Sequence, residues 1–452
     1  MRIHFIAIGG SAMHNLAIAL KEKGYNVSGS DDEIFEPSLS RLKKHRILPQ
    51  TIGWDTSRIS NELDAIVLGM HARADNPELL KAKELGLKIY SYPEYLYEQT
   101  KDKTRIVIGG SHGKTTITSM VMHVLRNTGI DFDYMVGAQL EGFENMVSLK
   151  TETKIAVFEG DEYLTSPIDL RPKFHLYQPN IALISGIAWD HINAFPTYEI
   201  YKNQFAIFVE KIASGDVLVY CNEDPEVASI ATEKERNIKL IPYTTHLHES
   251  TDGSTSLIVD DKKLPLAIFG KHNMQNISGA KAVCNQVGIT DEQFHKAIVT
   301  FKGAAKRLQL LAENSNTKVF LDFAHSPSKV SATVQAVSES YKSRKLVACL
   351  ELHTFSSLTA EFLEQYNGTM DKSDIPFVYF NPSTIEHKKL QPIDPEMVKS
   401  CFGSSKIKVF TDSQQLVDTL KGLEWNNKNL LIMTSGNFSG VNLQEFAKTI
   451  AQ

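Results

Sequence analysis

Residues 106–116, IVIGGSHGKTT, constrain the fold more than any other stretch of this chain. Ile106, Val107 and Ile108 are apolar and β-branched, the composition of a strand buried on both faces of a parallel sheet. The turn Gly109-Gly110-Ser111-His112-Gly113 then runs into Lys114, Thr115 and Thr116 and a helix-compatible segment, ITSMVMHVLRN. Strand, glycine-rich turn and helix in that order make a phosphate cradle. Glycines let backbone N–H groups converge on an anion at the positive end of the helix, the Lys neutralises phosphate charge, and the Thr hydroxyl can ligate Mg²⁺. The usual spacing puts four residues between the first Gly and the Gly-Lys pair. Ile108 stands at that first position here, so the motif is a shortened GxxGKT counted from Gly110. ATP with Mg²⁺ is the expected ligand, against the plainer reading of a βα turn followed by a surface Lys.

A chain of 452 residues divides into two to four domains. Its 48 Lys+Arg against 53 Asp+Glu contain no basic block, which argues against a nucleic-acid surface. Cys221, Cys284, Cys349 and Cys401 have neither disulfide-scaffold nor zinc spacing and read as reduced thiols. No run reaches the length of a membrane span, and the apolar start Ile3 to Ile8 is cut by Gly9-Gly10. A soluble cytoplasmic protein without a membrane partner is expected.

The segment RIHFIAI at 2–8 is a first strand, followed by Gly9-Gly10-Ser11-Ala12-Met13, a helix to about Lys23, and a second strand from Val27 ending in Asp31. This is a Rossmann-like opening that lacks the last glycine of GxGxxG. A pyrophosphate on the helix N-terminus with Asp31 near a ribose, NAD binding, and a purely structural turn all remain open at this point. Further βα units follow at 65–69 and 87–90, and polar residues 98–104 suggest the first boundary. Lys154 to Phe158 reads as a strand delivering Glu159, with Asp161 and Glu162 close behind, and a strand from Ile181 to Ser185 ends near Asp190-His191. Singly, such acids are solvated loop residues and such a histidine is a hydrogen-bonded one. Together, Thr115, Glu159 and His191 all follow strand ends of one predicted sheet, the arrangement of a metal site.

Residues 254–269 read as a hairpin about an Asp-Asp-Lys-Lys turn. Asn273 and Asn276 precede a helix; an amide reads adenine well, but on these residues alone a helix N-cap is favoured. Lys306-Arg307 precede polar residues 313–318, the second boundary. The last segment opens with a strand from Val319, Asp322-Phe323-Ala324-His325-Ser326-Pro327 and a helix, and βα alternation continues to residue 440. The predicted fold is α/β in three domains: 1–100 Rossmann-like, 101–312 a P-loop domain with a mostly parallel sheet, and 313–452 Rossmann-like again.

With these motifs in place, the chain resembles the Mur ligase family over nearly its whole length. The Gly-Gly-x-x-Met opening, GGSHGKTT, EGDEY, DHIN, GKHNMQN, FKGAAKRL, DFAHSP and MTSGNFSG fall in family order. The resemblance implies an ATP- and Mg²⁺-dependent, ADP-forming ligase that joins an amine to a carboxylate through an acyl phosphate, as a monomer or homodimer. It implies a first domain that binds UDP-N-acetylmuramate and a last domain that closes over ATP and binds an amino acid or short peptide. It further implies that Lys114 bridges phosphates within the loop Gly110, Ser111, His112, Gly113, Thr115 and Thr116, while Thr115, Glu159 and His191 hold Mg²⁺. Asn273 and Asn276 would read adenine, Asp322 would reach the ribose, and Arg307 and His325 would lie nearby. Gly10, Ser11, Met13 and Asp31 would lie along UDP, with His71, Arg73 and Asn76.

Within the family, residues 161–179 look like the ligase of peptidoglycan recycling that attaches the tripeptide L-Ala-γ-D-Glu-meso-diaminopimelate, on Arg171, Lys173, Phe174, Tyr177 and Pro179. The alternatives are the member that adds L-alanine in de novo synthesis and a nucleotide-binding relative without catalysis. The chain departs from the family pattern at Gly186 and Ala188, where Asn and Glu usually precede Asp-His, and at Glu351-Leu352-His353-Thr354, which contains no Arg.

Overall fold

The computed structural model describes residues 1–452 apart from 141 and 167. Contacts gather the chain into two units, one of residues 1–187, 202–243 and 279–294, the other of 188–201, 244–278 and 295–452.

The first unit holds two parallel sheets, counted over the described residues. Four strands, in the order Asn26–Ser30, Arg2–Ile6, Ala65–Leu68 and Ile89–Ser91, are all parallel. Ile3, Phe5 and Ile6 are fully buried, as the apolar run requires of a central strand. The second sheet has seven strands, in the order Lys239–Tyr243, Val217–Cys221, Ile181–Ile184, Thr104–Gly109, Ile155–Glu159, Asp133–Met135 and Val147–Ser148, with only the last antiparallel. Thr104–Gly109 is the middle strand. Its register sets Ile184 beside Gly109 and Glu159 beside Ile108, so both neighbours end level with the start of the glycine turn.

The two sheets are joined closely. Helix Tyr92–Thr100 runs through half of the expected polar boundary, leaving residues 101–103 as the link to Thr104. Arg105, 7% exposed, ties that link down: its guanidinium donates to the carbonyls of Thr100, Lys101, Lys103, Tyr177 and Gln178 at 2.9–3.0 Å. From the other side, Asn15 Oδ1 accepts the Met146 N–H at 3.0 Å, Arg41 donates to Asn145, and Lys44 pairs with Glu144 at 2.7 Å.

The second unit holds a six-stranded sheet, in the order Gln309–Glu313, Thr317–Asp322, Lys428–Met433, Lys345–Leu352, Ile375–Phe380 and Lys408–Phe410, parallel except for its first strand. Alternate residues supply two cores: Phe320, Ala348, Leu350, Val378 and Leu431 on one face, and Val319, Val347, Cys349, Phe377 and Ile432 on the other. A separate antiparallel ribbon comprises His248–Thr251, Ser254–Val259 and Lys262–Leu266.

Two local expectations are corrected. The hairpin turns on Asp260-Asp261 alone, both in the left-handed region at φ 47° and 62°, and Lys262 and Lys263 are strand residues paired with Val259 and Ile258. The helix after residue 270 begins at Lys271, so Asn273 and Asn276 lie inside it and neither is an N-cap. Among the described residues, no helix is long and apolar enough to cross a membrane.

Candidate phosphate-binding site

The middle strand delivers the glycine turn, and the helix Lys114–Asn127 starts directly after it, with no side-chain cap and no acid in its first turn. A helix N-terminus at the end of a glycine turn is the arrangement that favours an anion. Gly110 has φ +132°, and a Cβ there would stand 2.1 Å from Ser185 Oγ, so only glycine fits. Lys114 Nζ donates to Gly110 O and to Glu162 Oε2, both at 2.6 Å. Burial pulls the ammonium pKa down, but Glu162, with Asp161 and Glu159, outweighs that and holds it above its usual value. Lys114 is therefore a fixed cation inside the loop.

Thr115 Oγ1 donates to Glu159 Oε1 at 2.8 Å, and Glu159 Oε2 accepts the Gly137 N–H at 2.8 Å. Neighbouring oxygens on an octahedral Mg²⁺ with ~2.1 Å bonds lie about 3 Å apart, so this hydroxyl and carboxylate already have the spacing of two adjacent ligands. Oxygen donors, one of them anionic, fit a hard divalent cation. Among the described residues, however, no group of three or more His, Cys, Asp or Glu is gathered as a metal site. The fit rests on the Thr–Glu pair, with phosphate oxygens and water to complete the shell.

The opening turn of the first sheet is built differently. Asp31, 4% exposed, accepts the Gly9 N–H on Oδ2 at 2.6 Å and the Asp32 N–H on Oδ1 at 3.0 Å, so both oxygens close the turn. Burial, which outweighs the Gly9 hydrogen bond, together with Asp32 pushes its carboxyl up to about 6. Gly10 precedes the uncapped helix Ser11–Glu22; Ser11 is exposed and Met13 buried. Asn76 caps helix Pro77–Glu84, accepting from Glu78 and Leu79 N–H at 3.0 Å, while His71 and Arg73 are exposed.

The second unit carries the remaining predicted residues. Asn273 Nδ2 donates to Phe269 O at 2.8 Å, and Asn276 follows one turn later, 3.5 Å from Asn273 Oδ1. Asp322 accepts the Leu308 and Ala324 N–H groups, both at 2.7 Å. Burial raises its pKa above the usual carboxylate range, against the pull of Arg307 and these N–H groups. Arg307 lies over the Phe323 ring, 4.8 Å from its centre. His191 sits at φ 56° beside Asp190, whose Oδ1 accepts the His191 N–H at 2.8 Å. Asp190 also pairs with Lys329 at 3.2 Å and lies 3.9 Å from His325 Nε2. Burial, reinforced by Lys329, pushes the His325 imidazole down to about 3, so it is neutral.

Sequence reasoning missed three partners: Glu162 for Lys114, Ser185 under the loop, and Lys329 for Asp190. Lys329 had a readable signal, since it follows His325 by four residues across a helix start.

Residues 2–104 match the Mur ligase family catalytic domain, 108–284 the Mur ligase middle domain, and 306–438 the Mur ligase glutamate ligase domain. The chain is 31% identical over 389 residues to the UDP-N-acetylmuramate–L-alanine ligase of Sulfurihydrogenibium sp., covering 83% of this chain and 82% of that one. Among solved structures, it is 27% identical to the UDP-N-acetylmuramate:L-alanyl-γ-D-glutamyl-meso-diaminopimelate ligase from Neisseria meningitides, over 67% of this chain and 98% of that one, at TM-score 0.60. It shares a fold with the UDP-N-acetylmuramate–alanine ligase of Thermotoga maritima at TM-score 0.71, 20% identity and coverage of 100% of this chain and 98% of that one. Three domain matches in order, joined to a relative at this identity over four-fifths of both chains and to a P-loop of this geometry, mean that the chain belongs to the Mur ligase family of ATP-dependent, amide-bond-forming ligases.

Proposed function

We propose that this ligase joins UDP-N-acetylmuramate to the tripeptide L-Ala-γ-D-Glu-meso-diaminopimelate through an acyl phosphate. The observation that supports ligation is the loop itself, with Lys114 held as a cation and Thr115 and Glu159 at metal-ligand spacing. Mg²⁺, when bound, neutralises phosphate charge. The substrate carboxylate attacks the γ-phosphate with ADP as leaving group, and the amine then attacks the acyl carbon, loses a proton and expels phosphate, so no protein nucleophile is needed. Lys114 stabilises the oxygens on which negative charge builds. In this reading Asn273 and Asn276 read adenine, Asp322 meets the ribose, and the Gly10–Ser11 turn with Asp31 meets UDP.

The tripeptide is favoured by residues 161–179, which resemble the recycling ligase. Within them Phe174 and Tyr177 are fully buried, Lys173 pairs with Asp161 at 2.5 Å, and Arg171 bonds to Asp169 and Glu94 on the surface; Pro167 lies outside the described residues. L-Alanine is the second reading, favoured by the name of the 31%-identical relative. The deciding experiment measures phosphate release from ATP and Mg²⁺ with UDP-N-acetylmuramate and either acceptor, with products identified by mass. Turnover with the tripeptide alone supports the first reading, and turnover with L-alanine replaces it by the second. Turnover with neither, although ATP binds, points to another acceptor or to lost catalysis.

A further inference from the structure

The floor beneath the phosphate loop is the dipeptide Ser185-Gly186, which continues the strand Ile181–Ile184. Ser111 N–H donates to Gly186 O at 2.9 Å, Ser185 N–H donates to Gly109 O at 3.1 Å, and Ser185 Oγ donates to His112 O. Ser185 Oγ also fills the space that excludes any side chain at Gly110. The floor is fixed from behind, because the next residue, Ile187, donates its N–H at 2.9 Å to Asp224 Oδ2, while Asp224 Oδ1 caps the helix Pro225–Thr232. A rigid strand end and a capped helix thus hold the loop's backbone in place.

Gly186 is not among the glycines held at positive φ, so conformation does not demand glycine there. Space does. A Cβ at 186 would stand 2.0 Å from His112 Cε1, 2.7 Å from Nε2 and 2.9 Å from Nδ1. The imidazole of the phosphate loop occupies the very place a side chain at 186 would take, and it cannot share it, since heavy atoms at van der Waals contact need about 3.5 Å.

We propose that Gly186 is a positioning residue for nucleotide binding: its missing side chain is the socket that seats the His112 ring and so fixes the phosphate loop from below. The ring enters the socket from the loop, and Ser185 anchors the same residue's carbonyl, so His112 is held at both its side chain and its backbone. A loop held this way presents its N–H groups already converged, and ordering it adds little to the cost of binding phosphate. Any side chain at 186 expels the ring and releases His112 from one of its two anchors. The inference rests on the ATP reading of the loop.

The test is calorimetric titration of the full chain with ATP and Mg²⁺. Gly186→Ala is expected to weaken ATP binding by at least about tenfold, about 1.4 kcal/mol, with the melting temperature nearly unchanged. His112→Ala removes the same ring anchor, so combining it with Gly186→Ala is expected to cost no more than His112→Ala alone. A purely structural role for Gly186, independent of the ring, predicts losses that add. Ser185→Ala adds no bulk and removes the hydroxyl bonds to His112 O and, at 3.3 Å, to Gly109 O, both in the loop, so it is expected to weaken ATP binding even if Gly186→Ala fails to fold. Wild-type affinity in Gly186→Ala, or a double variant clearly weaker than His112→Ala, overturns the inference alone. Failure of the wild-type chain to bind ATP overturns the phosphate reading and the inference with it.

Discussion

Asp31→Asn separates what the opening turn contributes to stability from what it costs. The folded carboxyl titrates at about 6 against an ordinary value of 3.8, chiefly because it is buried. An acid whose folded pKa is raised contributes stability that is fully present below the unfolded pKa and lost as pH rises through the folded one. Between pH ~4 and ~6 the unfolded chain has ionised Asp31 while the folded chain still holds the proton, so stability falls across that window and levels off above it. The gap of about 2 units, at about 1.36 kcal/mol each, sets a ceiling near 3 kcal/mol. Ser11 beside the turn is exposed, and solvent screening there brings the expected loss to about 1–2 kcal/mol. Asn does not ionise, and its carbonyl still accepts the Gly9 N–H; the Asp32 N–H bond it gives up is a loss that does not vary with pH. The stability of Asp31→Asn relative to wild type is therefore expected to rise by about 1–2 kcal/mol between pH 4 and pH 7. Hydrogen exchange of the amides of residues 2–30, followed at several pH values, reports the opening of this sheet itself. A difference between the two proteins that stays flat from pH 4 to pH 7 would refute the argument.

Lys114→Ala is expected to abolish ATP-dependent phosphate release and to lower stability by about 3 kcal/mol, because it leaves the nearly inaccessible Glu162 carboxylate without its cation. Adding Glu162→Gln should restore most of the melting temperature and none of the turnover; recovery of turnover would sink the role of Lys114. Thr115→Val keeps the shape of the side chain but loses the hydroxyl set against Glu159. It should weaken ATP binding in Mg²⁺ by at least about tenfold and leave binding in EDTA unchanged, and an equal loss in both would remove Thr115 from the metal. Replacing Asp260-Asp261 by Asn-Gly, the pair suited to two left-handed turn residues, should stabilise the ribbon by about 0.5–1 kcal/mol in urea unfolding, and destabilisation would contradict the turn geometry.

What the sequence made legible was what lies close together along it. The phosphate loop was readable because strand, turn, Lys114 and Thr115 fall within eleven residues, and the alternating β and α segments of both large sheets were readable from their apolar runs. Contacts set by register were not. Lys114 and Glu162 are 48 residues apart, and Asp190 and Lys329 are 139 apart, so only the order of strands brings each pair together. Asn273 reads as a cap because Asn is common at helix starts, yet the helix begins at Lys271 and carries both asparagines on its first turns. Lys262 and Lys263 looked like turn residues by composition, but pairing with Ile258 and Val259 draws them into a strand. The occupied space at Gly186 leaves no trace in composition at all.

Arg105 decides where this chain can be divided. Residues 101–103 are short and polar, the place a protease or a designer of fragments would choose to cut between the first two sheets. Yet the buried guanidinium that opens the second sheet is satisfied by carbonyls at 100, 101 and 103. A fragment starting at Thr104 would carry that charge with three of its five acceptors gone, and a fragment ending at Lys103 would end in a link with nothing to grip it. The joint belongs to both sheets, so the first Rossmann sheet is not a detachable module, and a fragment carrying that sheet alone would have to reach past Arg105 to keep its own end in order.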